Sequence, residues 1–297
     1  MIDPRNLLVW GEWRPLLSAE KDLLIPALPG LYQIRRAGRA DLDYIGQTGM
    51  GAMTLRRRLG VLRGVYAEAM PYTAPHTAGP ALWALRQHTG EDFLVSVVPV
   101  VGETPWRKGF EAMAIALYRQ AHRRSPTVEF GRMPVGFVSS SGYTLRLKKA
   151  KSLFRGEPSD ILDASHRPSI EPTGPLNGDP QGAEWGGHAW SGWVPLSKSA
   201  LRGNLLGSGL YRIRGSAPSR LLYVGQGRIP ERPLQHLAKT LVADHRQGQL
   251  FAAEDRLECS WVVDASWYPH QRLELECDLI AAHLLVTGEV PAAQFLG

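Results

Sequence analysis

The sequence predicts an α+β protein that carries two copies of one small domain. A Gly-Leu-Tyr triplet at 30–32 is followed by Tyr-Ile-Gly-Gln at 44–47, and the same order returns at 209–211 and 223–226, with Val for Ile. Two tryptophans and a proline precede the triplet in both places: Trp10, Trp13 and Pro15, then Trp190, Trp193 and Pro195. The shift of about 180 residues far exceeds the roughly 20–50 residues of a solenoid repeat. The chain is therefore predicted to be a duplicated domain.

Each copy is predicted to form a small three-stranded antiparallel sheet flanked by helices. In the first copy, 31–35 and 43–46 alternate like the strands of a hairpin, and the β-branched run at 93–101 predicts a third, buried strand. Apolar residues at helical spacing predict helices at 54–70, 81–88 and 105–122. The second copy repeats this order in less space. Its strands are expected at 210–214, 222–225 and 257–265, and its helices at 231–244, 249–255 and 271–286.

These patterns divide the chain into a first domain at 1–155, a linker at 156–187 and a second domain at 188–297. The linker is assigned from composition, because it is rich in Pro, Gly, Ser and Asp and has little apolar periodicity. The first domain ends in a basic arm, 142–155, which has no counterpart in the second copy. The arm either forms the solvated end of a helix or follows a nucleic-acid strand. Its candidate nucleic-acid-binding residues are Arg146, Lys148, Lys149 and Lys151.

Bulk composition is that of a globular protein, with 44% apolar and 21% charged residues. No apolar run approaches the roughly 18–20 residues that cross a bilayer, and the first residues do not resemble a signal peptide. The only cysteines, Cys259 and Cys277, are too few for a zinc knuckle or a disulfide framework. We therefore expect a cytoplasmic protein with reduced thiols and no membrane partner.

Positive charge is concentrated in the first copy. Residues 1–156 contain 22 Lys and Arg against 12 Asp and Glu, a net charge of +10, whereas 157–190 carry −5 and 191–297 carry +1. A positive field of this kind concentrates polyanions, and nucleic acid is the leading candidate. A solvated basic surface without a ligand is the alternative.

The ordered motifs resemble the GIY-YIG nuclease superfamily, whose pattern continues with an Arg on the next helix and a Glu on a later one. The resemblance covers most of both copies and omits the linker and the basic arm. It implies two tandem GIY-YIG-like domains, each with one divalent ion, Mg²⁺ or Mn²⁺. The matching residues of the first copy are Tyr32, Tyr44, Arg58 and Glu111, and those of the second are Tyr211, Tyr223, Arg232 and Glu276.

Phosphodiester hydrolysis requires these residue types. A single carboxylate, Glu111 or Glu276, can hold a hard cation whose other ligands are water and phosphate oxygens. Arg58 and Arg232 match the geometry of a phosphate and stay charged. The first tyrosine of each copy is the candidate general base and needs a nearby cation to lower its pKa from about 10. The second tyrosine, Tyr44 or Tyr223, is expected to orient the water or the phosphate.

Structural alternatives apply to each residue taken singly. Tyrosines in half-buried strands are commonly core residues, and the cluster Arg56, Arg57 and Arg58 equally suits a helix surface or nucleic-acid binding. Glu274 competes with Glu276, which is preferred because Ile280 follows it at the family's spacing.

Two further positions differ between the copies. His236 follows Arg232 by one helical turn, where some family members carry a catalytic histidine, and the first copy has Leu62 there. The position of the family's late asparagine is Glu129 in the first copy and Gln294 in the second. Glu129 is expected either to pair with Arg132 or to join the metal site.

Together these features predict a metal-dependent DNA endonuclease with two active sites in one chain, a monomer that acts as a pseudo-dimer and cuts both strands of a duplex. RNA is not excluded as a substrate. The first alternative is a nucleic-acid-binding protein in which one or both copies are inactive. The second is a scaffold that performs different chemistry, on damaged bases or on a small molecule.

Overall fold

The fold is taken from a computed structural model, which describes residues 3–18, 21–49, 51–72, 78–138, 156, 158–160, 162–201, 207–216 and 221–296. The chain forms two compact units. The amino-terminal unit comprises Leu8–Glu103 and Ser125–Ser169, and the carboxy-terminal unit comprises Met1–Leu7, Thr104–Arg124 and Ile170–Gly297.

A four-stranded antiparallel sheet forms the centre of the amino-terminal unit, with the strand order β1-β4-β2-β3. Buried side chains from β2, β4 and two helices form its apolar core. The strands are β1 (Arg14–Pro15), β2 (Gly30–Arg36), β3 (Tyr44–Gln47) and β4 (Phe93–Pro99), and the helices are α1 (Leu55–Leu62) and α2 (Ala78–Thr89).

The carboxy-terminal unit has a sheet of the same topology, β5-β8-β6-β7, also antiparallel throughout. Its strands are β5 (Val194–Pro195), β6 (Gly207–Arg214), β7 (Leu221–Ile229) and β8 (Glu258–Val263). Its helices are α3 (Thr104–His122), α4 (Lys198–Leu201), α5 (Glu231–Lys239), α6 (Arg246–Ala252) and α7 (Pro269–Thr287).

The prediction of an α+β protein with antiparallel sheets is confirmed, but each sheet has four strands rather than three. The additional strands, β1 and β5, are two residues long and lie at an edge beside β4 and β8. Each ends in a proline, which an edge strand tolerates because one side of it needs no ladder hydrogen bond. Two residues are too few to produce a period-two pattern, so sequence periodicity does not reveal them.

Helix α3 belongs to the carboxy-terminal unit, although it follows the first copy in the sequence. It packs on α7, where the fully buried Arg119 donates to both carboxylate oxygens of Asp278 at 2.8 and 3.0 Å. The Cys277 thiol lies 3.4 Å from the carbonyl oxygen of Ala112 in the same contact. The two compact units therefore do not follow the boundaries 1–155, 156–187 and 188–297, which describe the sequence repeat.

The segment between the copies is packed where the structure describes it. The backbone N–H of Ile170 donates to Glu274, and the Trp193 indole donates to the carbonyl of Gln181. Trp185 is buried and stacks on Trp190 at 6.1 Å between ring centroids. Composition alone does not predict these contacts. No helix among the described residues is long and apolar enough to cross a membrane.

Candidate active sites

Strands β6 and β7 set the two tyrosines of the second copy side by side. Tyr211 lies opposite Gly225 in the strand register, and the rings of Tyr211 and Tyr223 have centroids 6.0 Å apart. A Cβ at position 225 would lie 2.6 Å from the Tyr211 hydroxyl and 2.7 Å from the Tyr223 ring. The glycine of the Tyr-Val-Gly run is therefore required because only a hydrogen fits between the two rings.

Helix α5 brings His236 onto the first of these tyrosines. The Tyr211 hydroxyl lies 2.7 Å from His236 Nε2, and both side chains are buried. On the other side of the imidazole, Nδ1 lies 3.1 Å from Gln247 Oε1. The Gln247 amide donates through Nε2 to the carbonyl of Ala293, which leaves Oε1 facing the histidine.

These contacts determine where the proton of the neutral imidazole lies. Because Gln247 Oε1 can only accept, His236 Nδ1 must donate to it, and Nε2 is then an acceptor. Burial, assisted by the positive charge of Lys239, lowers the pKa of His236 to about 4, so the ring is neutral near pH 7. The Tyr211 O–H therefore donates to His236 Nε2. A directed chain runs from Tyr211 through His236 to Gln247.

Glu276 on α7 and Arg232 on α5 complete the cluster electrostatically. Burial raises the pKa of Glu276 to about 8, and the charge of Arg232 opposes that rise. Burial also raises the pKa of Tyr211 and Tyr223; the charge of Glu276 adds to this shift, and Arg232 opposes it. Each charge thus acts on both phenols, so the structure brings together all five residues predicted for the second copy.

The competing carboxylate, Glu274, is engaged elsewhere. It is fully buried, accepts from the backbone N–H of Ile170 at 2.8 Å, and lies 3.5 Å from the Arg119 guanidinium. Glu276, by contrast, accepts no hydrogen bond from the residues that the structure describes.

The first copy has the same arrangement of two tyrosines and a glycine on adjacent strands, which we call the tyrosine frame. Its first tyrosine, however, has a different hydrogen-bond partner. The rings of Tyr32 and Tyr44 have centroids 6.1 Å apart, Tyr32 lies opposite Gly46, and a Cβ at Gly46 would lie 2.7 Å from the Tyr32 hydroxyl. Arg58 Nε donates to that hydroxyl at 3.4 Å. Glu111 lies on α3, in the carboxy-terminal unit.

Tyr72 is a neighbour of this frame that sequence analysis missed. It is buried and donates to the carbonyl of Leu62 at 2.8 Å. Burial raises the pKa of Tyr72, and the charge of Arg58 opposes that rise. Gln247 was missed as well. Neither residue belongs to a motif, and each reaches its site from a segment outside the repeated sequence pattern.

Glu129 and Gln294, at the position of the family's asparagine, have the same role in the two units. Glu129 Oε2 accepts from the backbone N–H of Ile45 at 2.9 Å, and Gln294 Oε1 accepts from that of Val224 at 3.0 Å. Each acceptor therefore ties the chain after the last predicted helix of its copy to the residue that follows the second tyrosine. The phenylalanine after each acceptor, Phe130 or Phe295, has a positive φ, of 56° or 63°.

The predicted nucleic-acid-binding residues differ in their surroundings. Arg56 donates to the carbonyls of Leu23 and Ile25, whereas the side chain of Arg57 is exposed. The four candidates of the basic arm lie outside the described residues.

The donor set around Glu276 fits a hard divalent cation. Among the described residues there is no group of three or more His, Cys, Asp and Glu that would form an all-protein metal site. An unbonded, desolvated carboxylate beside two phenols nevertheless suits Mg²⁺ or Mn²⁺, because a small hard ion keeps several waters and needs few protein ligands.

Comparison with protein families, with curated proteins and with solved structures finds no match to this chain.

Proposed function

We propose that the protein is a metal-dependent endonuclease with two GIY-YIG-like domains, and that it hydrolyses phosphodiester bonds of duplex DNA. The observation that carries the proposal is the second-copy cluster, in which a phenol donates to a neutral histidine beside a desolvated carboxylate and an arginine. Such a cluster combines a proton acceptor, an anion-binding cation and a cation ligand, which are the groups that hydrolysis of a phosphodiester requires.

In the proposed reaction, the proton of the attacking water passes to the Tyr211 oxygen as the Tyr211 proton passes to His236 Nε2. The resulting imidazolium is favoured by the negative charge of the phosphate. Arg232 binds non-bridging phosphate oxygens and neutralises charge that develops there. As the water oxygen bonds to phosphorus, the P–O bond to the leaving alkoxide breaks, and solvent supplies a proton to that alkoxide. His236 then releases its proton to solvent, which restores the neutral imidazole.

Glu276 would hold the divalent ion, which supplies Lewis-acid polarisation of the phosphate and stabilises the leaving oxygen. The protein residues do the positioning. Gln247 orients the imidazole, and Gly225 allows the two phenols to approach.

The first copy carries Tyr32, Tyr44 and Arg58 within the amino-terminal unit and would cut the second strand, so that a single chain makes a double-strand break. One difference favours a second candidate function for this copy alone. Its first tyrosine faces a cation rather than a neutral base, and the position of His236 is Leu62. A copy that lacks this histidine would bind DNA without cutting it.

The test is cleavage of supercoiled plasmid in Mg²⁺ or Mn²⁺ by the wild-type protein and by Glu111→Gln, Glu276→Gln and the double variant. Linear product from the wild type, nicked circles from each single variant and no cleavage by the double variant are expected. Linear product from Glu276→Gln would refute a catalytic second copy. Single-stranded DNA and RNA substrates in parallel define the nucleic acid.

A further inference from the structure

A turn before β2 exposes two consecutive leucines. The backbone N–H of Ile25 donates to the carbonyl of Asp22 at 3.1 Å and closes the turn, and Asp22 Oδ1 accepts from the N–H of Leu24 at 2.8 Å. Leu23 and Leu24, the corner residues, are 82% and 68% exposed, whereas Ile25 is buried. We call Leu23 and Leu24 the leucine tip.

The leucine tip is held rigidly. Arg56 Nε donates to the carbonyl of Ile25 at 3.0 Å, and its Nη2 donates to that of Leu23 at 3.2 Å. Asp22 pairs with Arg14 at 3.2 Å. Because the Arg56 side chain donates to the carbonyls on either side of Leu24, it fixes the backbone of the turn. The exposure of the two leucines is therefore a property of the folded turn.

The leucine tip is fixed to the helix that carries the phosphate-binding candidate of the first copy. The N–H of Leu55, the first residue of α1, donates to the carbonyl of Leu28 at 2.8 Å. Arg56 is two residues before Arg58, which donates to Tyr32. Residues two apart on a helix do not share a face, so Arg56 and Arg58 point to different sides of α1, which is about 10–12 Å across with its side chains. On a duplex that rises about 3.4 Å per base pair, a phosphate bound by Arg58 would therefore lie several base pairs from the tip.

Charge around the leucine tip selects its partner. Asp22 of the turn is neutralised by its ion pair with Arg14. The side chains of Lys21 and Arg57 are exposed, and neither forms an ion pair with the residues described by the structure. The tip is part of the sequence region with net charge +10. A partner that offers both negative charge and an apolar interior that two side chains can enter is duplex nucleic acid, whose base steps admit leucine wedges.

We propose that Leu23 and Leu24 form a wedge that enters a base step of the duplex several base pairs from the phosphate bound by the first copy. The wedge unstacks that step and bends the DNA, and contacts along the basic surface offset the cost of unstacking. This inference rests on the proposed function and adds how the substrate is deformed.

The test uses short duplexes that carry 2-aminopurine, a base whose fluorescence increases on unstacking, at a series of positions. The full chain carries Glu111→Gln and Glu276→Gln so that the DNA stays intact. Leu23→Ser with Leu24→Ser removes the wedge. The matched control is Leu241→Ser with Val242→Ser, which removes another consecutive apolar pair, 87% and 53% exposed, from the carboxy-terminal unit.

The fluorescence increase is expected with the unmodified tip and with the control, and its loss is expected with Leu23→Ser and Leu24→Ser. The salt dependence of binding, followed by anisotropy, should stay the same in all three because phosphate contacts are unchanged. Binding without an increase, or an increase that survives the tip substitutions, overturns the wedge and leaves the nuclease proposal standing. Failure of the wild-type protein to bind or cut DNA refutes both.

Two other occupants of the tip have distinct signatures that overturn the inference. A dimer in sedimentation that the tip substitutions dissociate would show a second copy of the chain there. Binding to phosphatidylserine vesicles that the same substitutions abolish, with fluorescence of the duplex unchanged, would show a membrane surface.

Discussion

The two tyrosine pairs share a frame and differ in what the first tyrosine meets. Their ring centroids lie 6.1 and 6.0 Å apart, and a glycine of the neighbouring strand faces the first tyrosine in both. Tyr211 donates to a neutral histidine, whereas Tyr32 accepts from an arginine. The backbone frame depends on strand register and on a missing Cβ, but the chemistry depends on one residue of the following helix.

This difference has an electrostatic consequence. A proton leaving Tyr211 has an acceptor, His236 Nε2, within hydrogen-bond distance, whereas a proton leaving Tyr32 does not move toward the guanidinium. Arg58 would instead stabilise a Tyr32 phenolate, because an arginine cannot take a proton at any accessible pH. In the proposed mechanism the two copies therefore differ in how the first tyrosine is activated.

The largest expected effect comes from making the second copy resemble the first. His236→Leu removes the proton acceptor of Tyr211, and loss of a positioned general base lowers the rate by about 10²–10⁴-fold. The measurement is the rate of plasmid nicking in a Glu111→Gln background, in which the second copy alone cuts. His88→Leu, which removes an exposed histidine on α2, is the control. An unchanged nicking rate in His236→Leu would remove the histidine from the mechanism.

The next largest effect is expected in the pH dependence of the free energy of unfolding without metal, because the carboxyl group of Glu276 is desolvated. The pKa of Glu276 is raised in the folded protein from 4.5 to about 8, so its proton stabilises the fold fully below about pH 4.5. That contribution is lost as pH rises from about 4.5 through about 8, by up to ~1.4 kcal/mol for each pH unit in this range.

Glu276→Gln has no such proton to lose. In EDTA, thermal unfolding of the two proteins should coincide near pH 4.5, and the variant should be the more stable above pH 8. Asp278, whose pKa burial raises to about 6, is common to both proteins and cancels in the comparison. Added Mg²⁺ should raise the Tm of the wild type but not of the variant. Parallel pH profiles would mean that Glu276 is solvated.

A smaller effect is expected at the shared glycine. Gly225→Ala places a Cβ 2.6 Å from the Tyr211 hydroxyl. Overpacking of this kind costs about 1–3 kcal/mol and displaces the phenol from His236. Chemical denaturation and nicking in the Glu111→Gln background measure the two consequences. Gly192→Ala, where an added Cβ meets nothing within 4 Å, is the matched control. Equal stability of the two alanine variants would contradict the steric argument.

The longer strands and helices can be predicted from the sequence, whereas the contacts made by residues outside the motifs cannot, for a physical reason. The hairpins, the third strands and the helices α3 and α7 follow from periodicity, since each is long enough to show two or more repeats of its pattern. The predicted helix at 54–70 ends at Leu62 and continues as a 3-10 turn to Tyr66. Gly64 allows this, because a Cβ there would lie 2.8 Å from the Tyr72 hydroxyl.

The residues of the candidate site likewise divide into those that the sequence predicts and those that only the structure identifies. Tyr211, Tyr223, Arg232 and Glu276 were found because an ordered motif names them, and the structure places them in one electrostatic cluster. Gln247 follows His236 by eleven residues on a separate short helix, and only the folded chain shows that it orients the imidazole. Glu129 was expected to pair with Arg132 or to join the metal site. The sequence did not predict that its carboxylate accepts from the backbone N–H of Ile45, as the amide oxygen of Gln294 does from that of Val224.

The smallest predicted effect tests that equivalence. If Glu129 acts as a backbone acceptor in the way that Gln294 does, Glu129→Gln keeps the hydrogen bond to Ile45 and should change stability by less than about 1 kcal/mol. Glu129→Leu and Gln294→Leu each leave a buried N–H unpaired and should cost about 1–3 kcal/mol. Urea denaturation compares the three variants. A loss in Glu129→Gln as large as that in Glu129→Leu would show that the first copy needs the negative charge itself, and the two units would then differ in their frame as well as in their chemistry.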